Sequence, residues 1–329
     1  TETRPEFIVS LLNDYFFSRQ IFTLATPYAA SPCVETLRKK QGPVEGLAAV
    51  YWNLARRLGL PVKPVLAGDH LLLRYEAPGY SRNIELELRG RARLDGSYQE
   101  LYSLNAGQVS RGAFLRPLSC REALGYYLYY HGRQAWKEGR VKECQPVLAL
   151  ASRWYPDLLP LSLLLAEIYS SQGNLREAVG SLNRALAVEP DLLTALSSRA
   201  VAYEQLTDFE PALRDYQTLV EKRLPGDPFP LRGRARCLAR AQRPREALVD
   251  WADLLKIPGL SPTDQEEARR EMRWLRIGLA REGIASPDYA RRFEAAQGLG
   301  QLEAKEAVPD LIAQLGDPNH RYHWFLISV

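Results

Sequence analysis

Between about Tyr129 and Leu255 the apolar positions fall at helical spacing in short stretches, each interrupted by a glycine or a polar pair, and the pattern recurs every 34 or 35 residues. With Ala178 as anchor, steps of 34 reach Cys144 and Ala212, and a further 35 reaches Ala247. Gly139 and Gly173, Pro156 and Pro190, Ala166 and Ala200, and Tyr169 and Tyr203 keep the same register. Each unit predicts two amphipathic helices, for example LLLAEIYSSQ, a break at Gly173-Asn174, then LREAVGSLNRALAV stopped before Pro190. Small residues at Gly132, Ala166, Ala200 and Ala235 suit close approach on the first helix, and Cys144, Ala178, Ala212 and Ala247 suit it on the second. Leu148, Tyr169, Leu182, Tyr203, Tyr216 and Trp251 are the expected fillers between helices.

Outside this block the patterning changes. Near the N-terminus LAAVYWNLARRLGL predicts a helix over Leu47–Leu58, ended by Gly59 and Pro61. PVKPVL, HLLLRYEA and NIELELRG then alternate as strands, separated by Gly68-Asp69 and Pro78-Gly79, and predict an antiparallel meander. In the last of these, Glu85 and Glu87 alternate with Leu86 and Leu88, which places both carboxylates on the solvent face of a strand. Beyond a linking helix over about Asp264–Arg281, a pattern of period 29 brings Asp288 and Arg292 back as Asp317 and Arg321, and Phe293 and Ala295 back as Tyr322 and Trp324. Between the copies, Ala307-Val308-Pro309 opens a helix with Leu311, Ile312 and Leu315 on one face.

Three resemblances follow from these motifs. The 34-residue units resemble tetratricopeptide (TPR) repeats, whose right-handed solenoids commonly hold a peptide or helix of a partner on the concave face. The resemblance implies a protein or peptide partner, with Asn183, Arg199 and Arg232 as candidate contacts because they are polar residues on repeat helices. The third unit departs from the pattern: Leu224 stands where the terminal proline belongs, so LPGDPFP reads as a kink or longer loop. The C-terminal motif D-x-x-x-R-x-x-A-A-x-x-L-G, followed by A-V-P-x-L-I-x-x-L-x-D, resembles HEAT-like repeats of the phycobilisome-lyase type. That likeness implies structural roles for Asp288, Arg292, Asp317 and Arg321.

The third concerns R-K-K-Q-G-P-V-E-G-L-A-A-V-Y, then G-D-H-L-L-L-R, then F-L-R-P-L-S-C-R-E-A-L leading into the repeats. It resembles the bacterial branch of the transglutaminase-like (papain-like) superfamily fused to TPRs. Active members use a Cys at the start of the central helix, a His on the next strand and an Asp on the one after. The thiol becomes a nucleophile when the His and the helix N-terminus favour its thiolate. Here Val44 occupies the usual Cys slot, His70 matches the His, and the acidic slot falls at Glu85 or Glu87. The resemblance therefore implies a pseudoenzyme head, with no catalytic residue expected. The competing reading is a cysteine-dependent amidase, peptidase or acyltransferase using Cys33, in the loop SPCVET, with His70. The expected architecture is an α+β transglutaminase-like domain over residues 1–118, an all-α TPR solenoid over 119–263, and a linking helix with a partial HEAT-like tail over 264–329.

Composition narrows the function classes. With 46% apolar and 25% charged residues the chain has the balance of a folded soluble protein. Its 43 basic side chains stand against 39 acidic ones, and a net charge of +4 indicates neither a nucleic-acid nor a membrane partner. RGRAR at Arg89–Arg93 and RGRARCLAR at Arg232–Arg240 look basic, and the second, on a repeat's first helix, reads as facing solvent or a partner's acids. The aromatic run Tyr126–Trp136 reads as packing at a domain junction. Cys33, Cys120, Cys144 and Cys237 are too scattered for a disulfide framework and point to a reducing, cytoplasmic compartment. A chain that starts at Thr1 and stops at Val329 within an apolar pattern reads as trimmed or processed, and a removed signal peptide is compatible with it. No phosphate loop, H-E-x-x-H or zinc spacing occurs, so neither a cofactor nor a metal is expected.

Overall fold

The computed structural model describes residues 4–20, 22–24, 32–222 and 226–315, without the side chains of 32–34 and 314–315. Two compact units result, Thr1–Leu192 and Leu193–Val329.

In the first unit, α1 (Pro5–Asn13) runs into a π-helical turn at Asp14–Arg19. Its apolar side, Val9, Leu12, Phe16 and Phe17, is buried, and Phe16 stacks on Phe22 with ring centroids 4.3 Å apart. Two short strands, β1 (Thr23–Leu24) and β2 (Gln41–Gly42), pair in parallel on either side of α2 (Pro32–Lys39). The central helix α3 spans Val44–Arg57, beginning earlier than its apolar pattern suggests because Pro43 sets the entry and its carbonyl accepts from Leu47 N. The predicted meander is present: β3 (Val62–Ala67), β4 (His70–Ala77) and β5 (Tyr80–Ile84) are antiparallel in that order, with Val65 opposite Leu72 and Leu73 opposite Ile84. The near-continuous burial of Val62, Val65, Leu66, Leu71, Leu72 and Leu73 shows a sheet covered on both faces, and α3 packs on β3 and β4. Two short helices, α4 (Asp95–Leu101) and α5 (Ala106–Ser110), follow. The chain then returns along β3, where Leu115 N and Leu118 N donate to Leu66 O and Pro64 O.

The third predicted strand stops at Ile84. Residues Leu86–Gly90 form a turn closed by Gly90 N donating to Glu85 O, with Arg89 and Gly90 at φ +55° and +83°. The alternation of Glu and Leu is thus a turn and not a strand face, and it sends Glu85 inward to near-complete burial while Glu87 stays exposed. Asn13 Nδ2 donates to Gly90 O, and a Cβ at Gly90 would strike that Asn13 side chain, so the turn is fixed by α1.

The helical part consists of hairpins. In the first unit α6 (Cys120–Lys137) pairs with α7 (Val141–Trp154), and α8 (Leu159–Ser171) with α9 (Leu175–Val188). In the second, α10 (Leu193–Gln205) pairs with α11 (Phe209–Lys222), and α12 (Pro228–Arg240) with α13 (Pro244–Leu254). The second helices begin at Val141, Leu175, Phe209 and Pro244, in the register of the sequence repeat. Cys144, Ala178, Ala212 and Ala247 are fully buried, as are Leu148, Tyr216 and Trp251, whereas Tyr169 and Tyr203 are only half-buried. Leu224 lies outside the described residues; after the joint, Asp227 caps α12 by accepting from Phe229 N.

Each hairpin turn places one residue in the left-handed region: Gly139, Gly173, Thr207 and Gln242, at φ +73°, +75°, +58° and +60°. A β-branched residue is strained there. Thr207→Gly is therefore expected to raise stability by about 0.5–1 kcal/mol, the relief of strain outweighing glycine's greater unfolded entropy. Urea unfolding checks this, and a destabilised variant would refute it.

After α13 come α14 (Pro262–Ile284), α15 (Tyr289–Gln301), a 3₁₀ turn at Lys305–Ala307 and α16 (Val308–Leu315). Asp288 caps α15 through Ala290 N, and Arg292 donates to Ser286 O and Pro287 O. Leu311 is buried, but Ile312 is exposed among the described residues, and the Leu315 side chain is not described. Asp317, Arg321, Tyr322 and Trp324 lie outside the described residues.

Candidate functional site

His70 opens β4 directly after the Gly68-Asp69 turn, and Glu85 follows the last residue of β5. The antiparallel meander brings them side by side, with His70 Nε2 2.9 Å from Glu85 Oε2. The same oxygen accepts from Tyr98 OH at 3.0 Å, and the other carboxylate oxygen faces Glu87 N at 3.4 Å. Burial disfavours charge on both groups, but each shifts toward its charged form because the pairing wins. Glu85, with support from Glu87 and Glu45, holds the imidazole above its usual range, while His70 and the Tyr98 hydroxyl hold Glu85 below the usual carboxylate range. An ionised Glu85 can only accept, so Nε2–H of His70 donates.

The pair is enclosed by aromatic rings. Tyr102 stacks on the imidazole at 5.3 Å and Tyr98 lies 6.2 Å away. The helix α6, first of the hairpins, contributes Tyr126, whose hydroxyl donates to Asp69 O at 3.3 Å and reaches Glu45 Oε1 at 3.5 Å. Tyr126, Tyr129 and Tyr130 are buried, which is the junction packing expected of the aromatic run. Side-chain exposures of 10% for His70 and 3% for Glu85 leave little access to the pair.

Val44 is the first residue of α3, and Glu45 follows it in the first turn. Burial raises the Glu45 carboxyl against the opposing help of its backbone, Tyr130, His70 and Tyr126. The sequence reading missed Glu45. Its signal was a glutamate next to the nucleophile slot and ahead of an apolar helix, where an acidic residue also serves the helix N-terminus. Cys33 falls within α2 and not in a loop, and its side chain lies outside the described residues. Among the described residues no three His, Cys, Asp or Glu side chains group as metal ligands would.

Residues 2–127 match the transglutaminase-like superfamily (Transglut_core2). The N-terminal domain is transglutaminase-like. The matched residues include α3, which opens with Val44, and the His70–Glu85 pair. Comparison with the curated proteins finds no match. Among solved structures, the chain is similar to a tetratricopeptide repeat protein from Parabacteroides merdae, at 24% identity over 58% of this chain and 79% of that one, with a TM-score of 0.39. It is also similar to MamA from MSR-1, at 16% identity over 56% of this chain and 98% of that one, with a TM-score of 0.40. A third is YrrB, described as a TPR protein with an unusual peptide-binding site, at 18% identity over 55% and 96% with a TM-score of 0.34.

The partner-contact candidates lie on repeat helices. Asn183 is exposed on α9. Arg199 on α10 makes a two-pronged ion pair with Asp215, Nε to Oδ2 at 2.8 Å and Nη2 to Oδ1 at 2.7 Å. Arg232 on α12 pairs with Asp264. One repeat further, Arg234 and Asp250 restate the Arg199 and Asp215 pairing at 2.7 and 2.6 Å, and Arg236 donates to Glu204. Arg232, Arg234 and Arg236 of the basic run on α12 are thus answered by acids of the same chain. Among the described residues no helix is long and apolar enough to cross a membrane.

Proposed function

We propose that this chain is a non-enzymatic protein-interaction scaffold: a disarmed transglutaminase-like head carrying TPR helices that hold a partner polypeptide in the cytoplasm. The observation that carries the reading is Val44 at the start of α3, where the superfamily's nucleophile stands; the next residue, Glu45, feels the charge of His70, which pairs with Glu85 next to Tyr98 and Tyr102. A valine side chain has no lone pair to attack a carbonyl, so at this position the His70–Glu85 pair has no nucleophile to activate. The hairpins of each unit supply a docking surface on their concave face, with Asn183 as contact position in the first unit and Arg199 and Arg232 in the second, where a partner's acid would compete with Asp215 and Asp264. The tail from Asp288 is the start of a HEAT-like stack.

The test has two arms. The purified chain and its Cys33→Ser variant are assayed for release of ammonia or amine from glutaminyl, peptidyl and thioester substrates, and for alkylation-sensitive acyl-enzyme. The expected result is no turnover above buffer in either. Turnover that disappears in Cys33→Ser would overturn the reading in favour of a cysteine-dependent enzyme. In the second arm, the full chain purified from its native cells is expected to retain a polypeptide at fixed stoichiometry, and a chain recovered without one would count against a scaffold.

A further inference from the structure

In the second unit a groove of about 780 Å³ runs across the C-terminal ends of α10 and α12 and against α14. Phe209, Trp251 and Trp274 give it an aromatic wall, and Trp274 is exposed over two thirds of its surface, an unusual position for a tryptophan on a helix otherwise rich in charge. Two of the groove's guanidiniums are available at the rim. Arg240 lies 5.1 Å above the Phe209 ring with half its side chain exposed, and Arg270 is more exposed still, with only a loose contact of 3.5 Å to its neighbour Glu271. Glu204, the acid at the floor, is already spent: it is buried, accepts from Tyr216 OH at 2.8 Å and from Arg236 Nε at 3.1 Å, and leaves Arg240 at 4.0 Å.

On the scaffold reading given above, we propose that this groove receives an acidic peptide segment in which carboxylates flank an aromatic or large aliphatic side chain. The carboxylates bind Arg240 and Arg270, and the apolar side chain lies against Trp274 and Phe209. Charge chooses the class of occupant. The groove offers two exposed guanidiniums at its rim, fewer than the several phosphate contacts on which nucleic-acid affinity rests, and beside them an exposed indole. A peptide can place its acids at the rim and its apolar side chain inside.

Titration of the full chain with a fluorescein-labelled acidic peptide such as Glu-Asp-Phe-Glu-Asp, read by anisotropy and by tryptophan quenching, tests this. Saturable binding is expected, weakened at least tenfold by Arg240→Glu and by Trp274→Ala and unchanged by Arg214→Glu, an exposed position away from the groove. Arg240 and Trp274 are exposed, so both variants should fold, and circular dichroism verifies it. Equal affinity of all four proteins, absence of saturation, or tighter binding of single-stranded oligonucleotide with the same variant sensitivity would each overturn the proposal. A native polypeptide that stays bound to Arg240→Glu and Trp274→Ala would sink the groove assignment while leaving the scaffold; a chain carrying no polypeptide at all would sink the scaffold first.

Discussion

Glu85→Ala is expected to be among the most damaging single changes in the N-terminal domain, lowering stability by roughly 3–5 kcal/mol. The substitution strips the Tyr98 hydroxyl and His70 Nε2 of their shared acceptor in a site with almost no access to water, and leaves a void where the carboxylate stood. Glu85→Gln keeps the shape and an acceptor oxygen for Tyr98 and loses the charge, so its cost should be nearer 1–2 kcal/mol. The pH dependence separates the two contributions. His70 is raised above its ordinary 6.5, so its stabilisation is complete below 6.5 and fades as pH rises through its folded value. Glu85 is lowered from 4.5, so its stabilisation is complete above 4.5 and fades as pH falls through its folded value. The gap between wild type and Glu85→Gln should therefore be widest between pH 4.5 and 6.5 and should narrow toward pH 9. Urea unfolding across that range measures it, and a gap constant from pH 5 to pH 9 would show that the pair carries no charge.

What made Glu85 hard to place from sequence is what makes it costly to remove. An E-L-E-L run has the period of a half-buried strand, and nothing local contradicts it. The decisive partners are distant: His70 lies 15 residues away and Tyr98 13, and the turn that swings Glu85 inward is fixed by Asn13, 77 residues from Gly90. The repeats were legible for the opposite reason. A hairpin's close-approach positions are set by its own two helices, so Cys144, Ala178, Ala212 and Ala247 carry the register in their identities. The arginines of α12 lie between these cases. Read alone, RGRARCLAR is a basic surface; but Arg199 with Asp215, and Arg234 with Asp250, share a separation of 16 residues and recur one repeat apart. That double spacing is visible in the sequence and would have assigned those arginines to their own chain. The aromatic run after Leu124 announced a junction, while the contact of Tyr126 with Asp69 and Glu45 depended on how α6 meets α3 and β4.

One chemical change at two glycines should give opposite signs. Gly125→Ala on α6 places a methyl 2.6 Å from Tyr155 Cβ and 2.9 Å from the Tyr155 backbone nitrogen, with the Trp154 carbonyl carbon at 3.2 Å. Tyr155 has little room to yield. It is buried, its N–H donates to Ala151 O at 2.8 Å, its ring lies under Arg116, and burial pushes its hydroxyl up to about 12. Alanine gains about 1 kcal/mol of helix propensity over glycine, but overpacking against backbone costs about 3 kcal/mol, so the net expectation is a loss of about 2 kcal/mol. Gly180 on α9 has no atom within 4 Å of an added Cβ, so Gly180→Ala should keep only the propensity gain, about 0.5–1 kcal/mol of added stability. Because the comparison cancels the intrinsic helix term, the difference between the two variants in urea unfolding isolates how closely α6 approaches the end of α7. Equal stabilisation of both proteins would mean that the first hairpin is more loosely packed than these distances require.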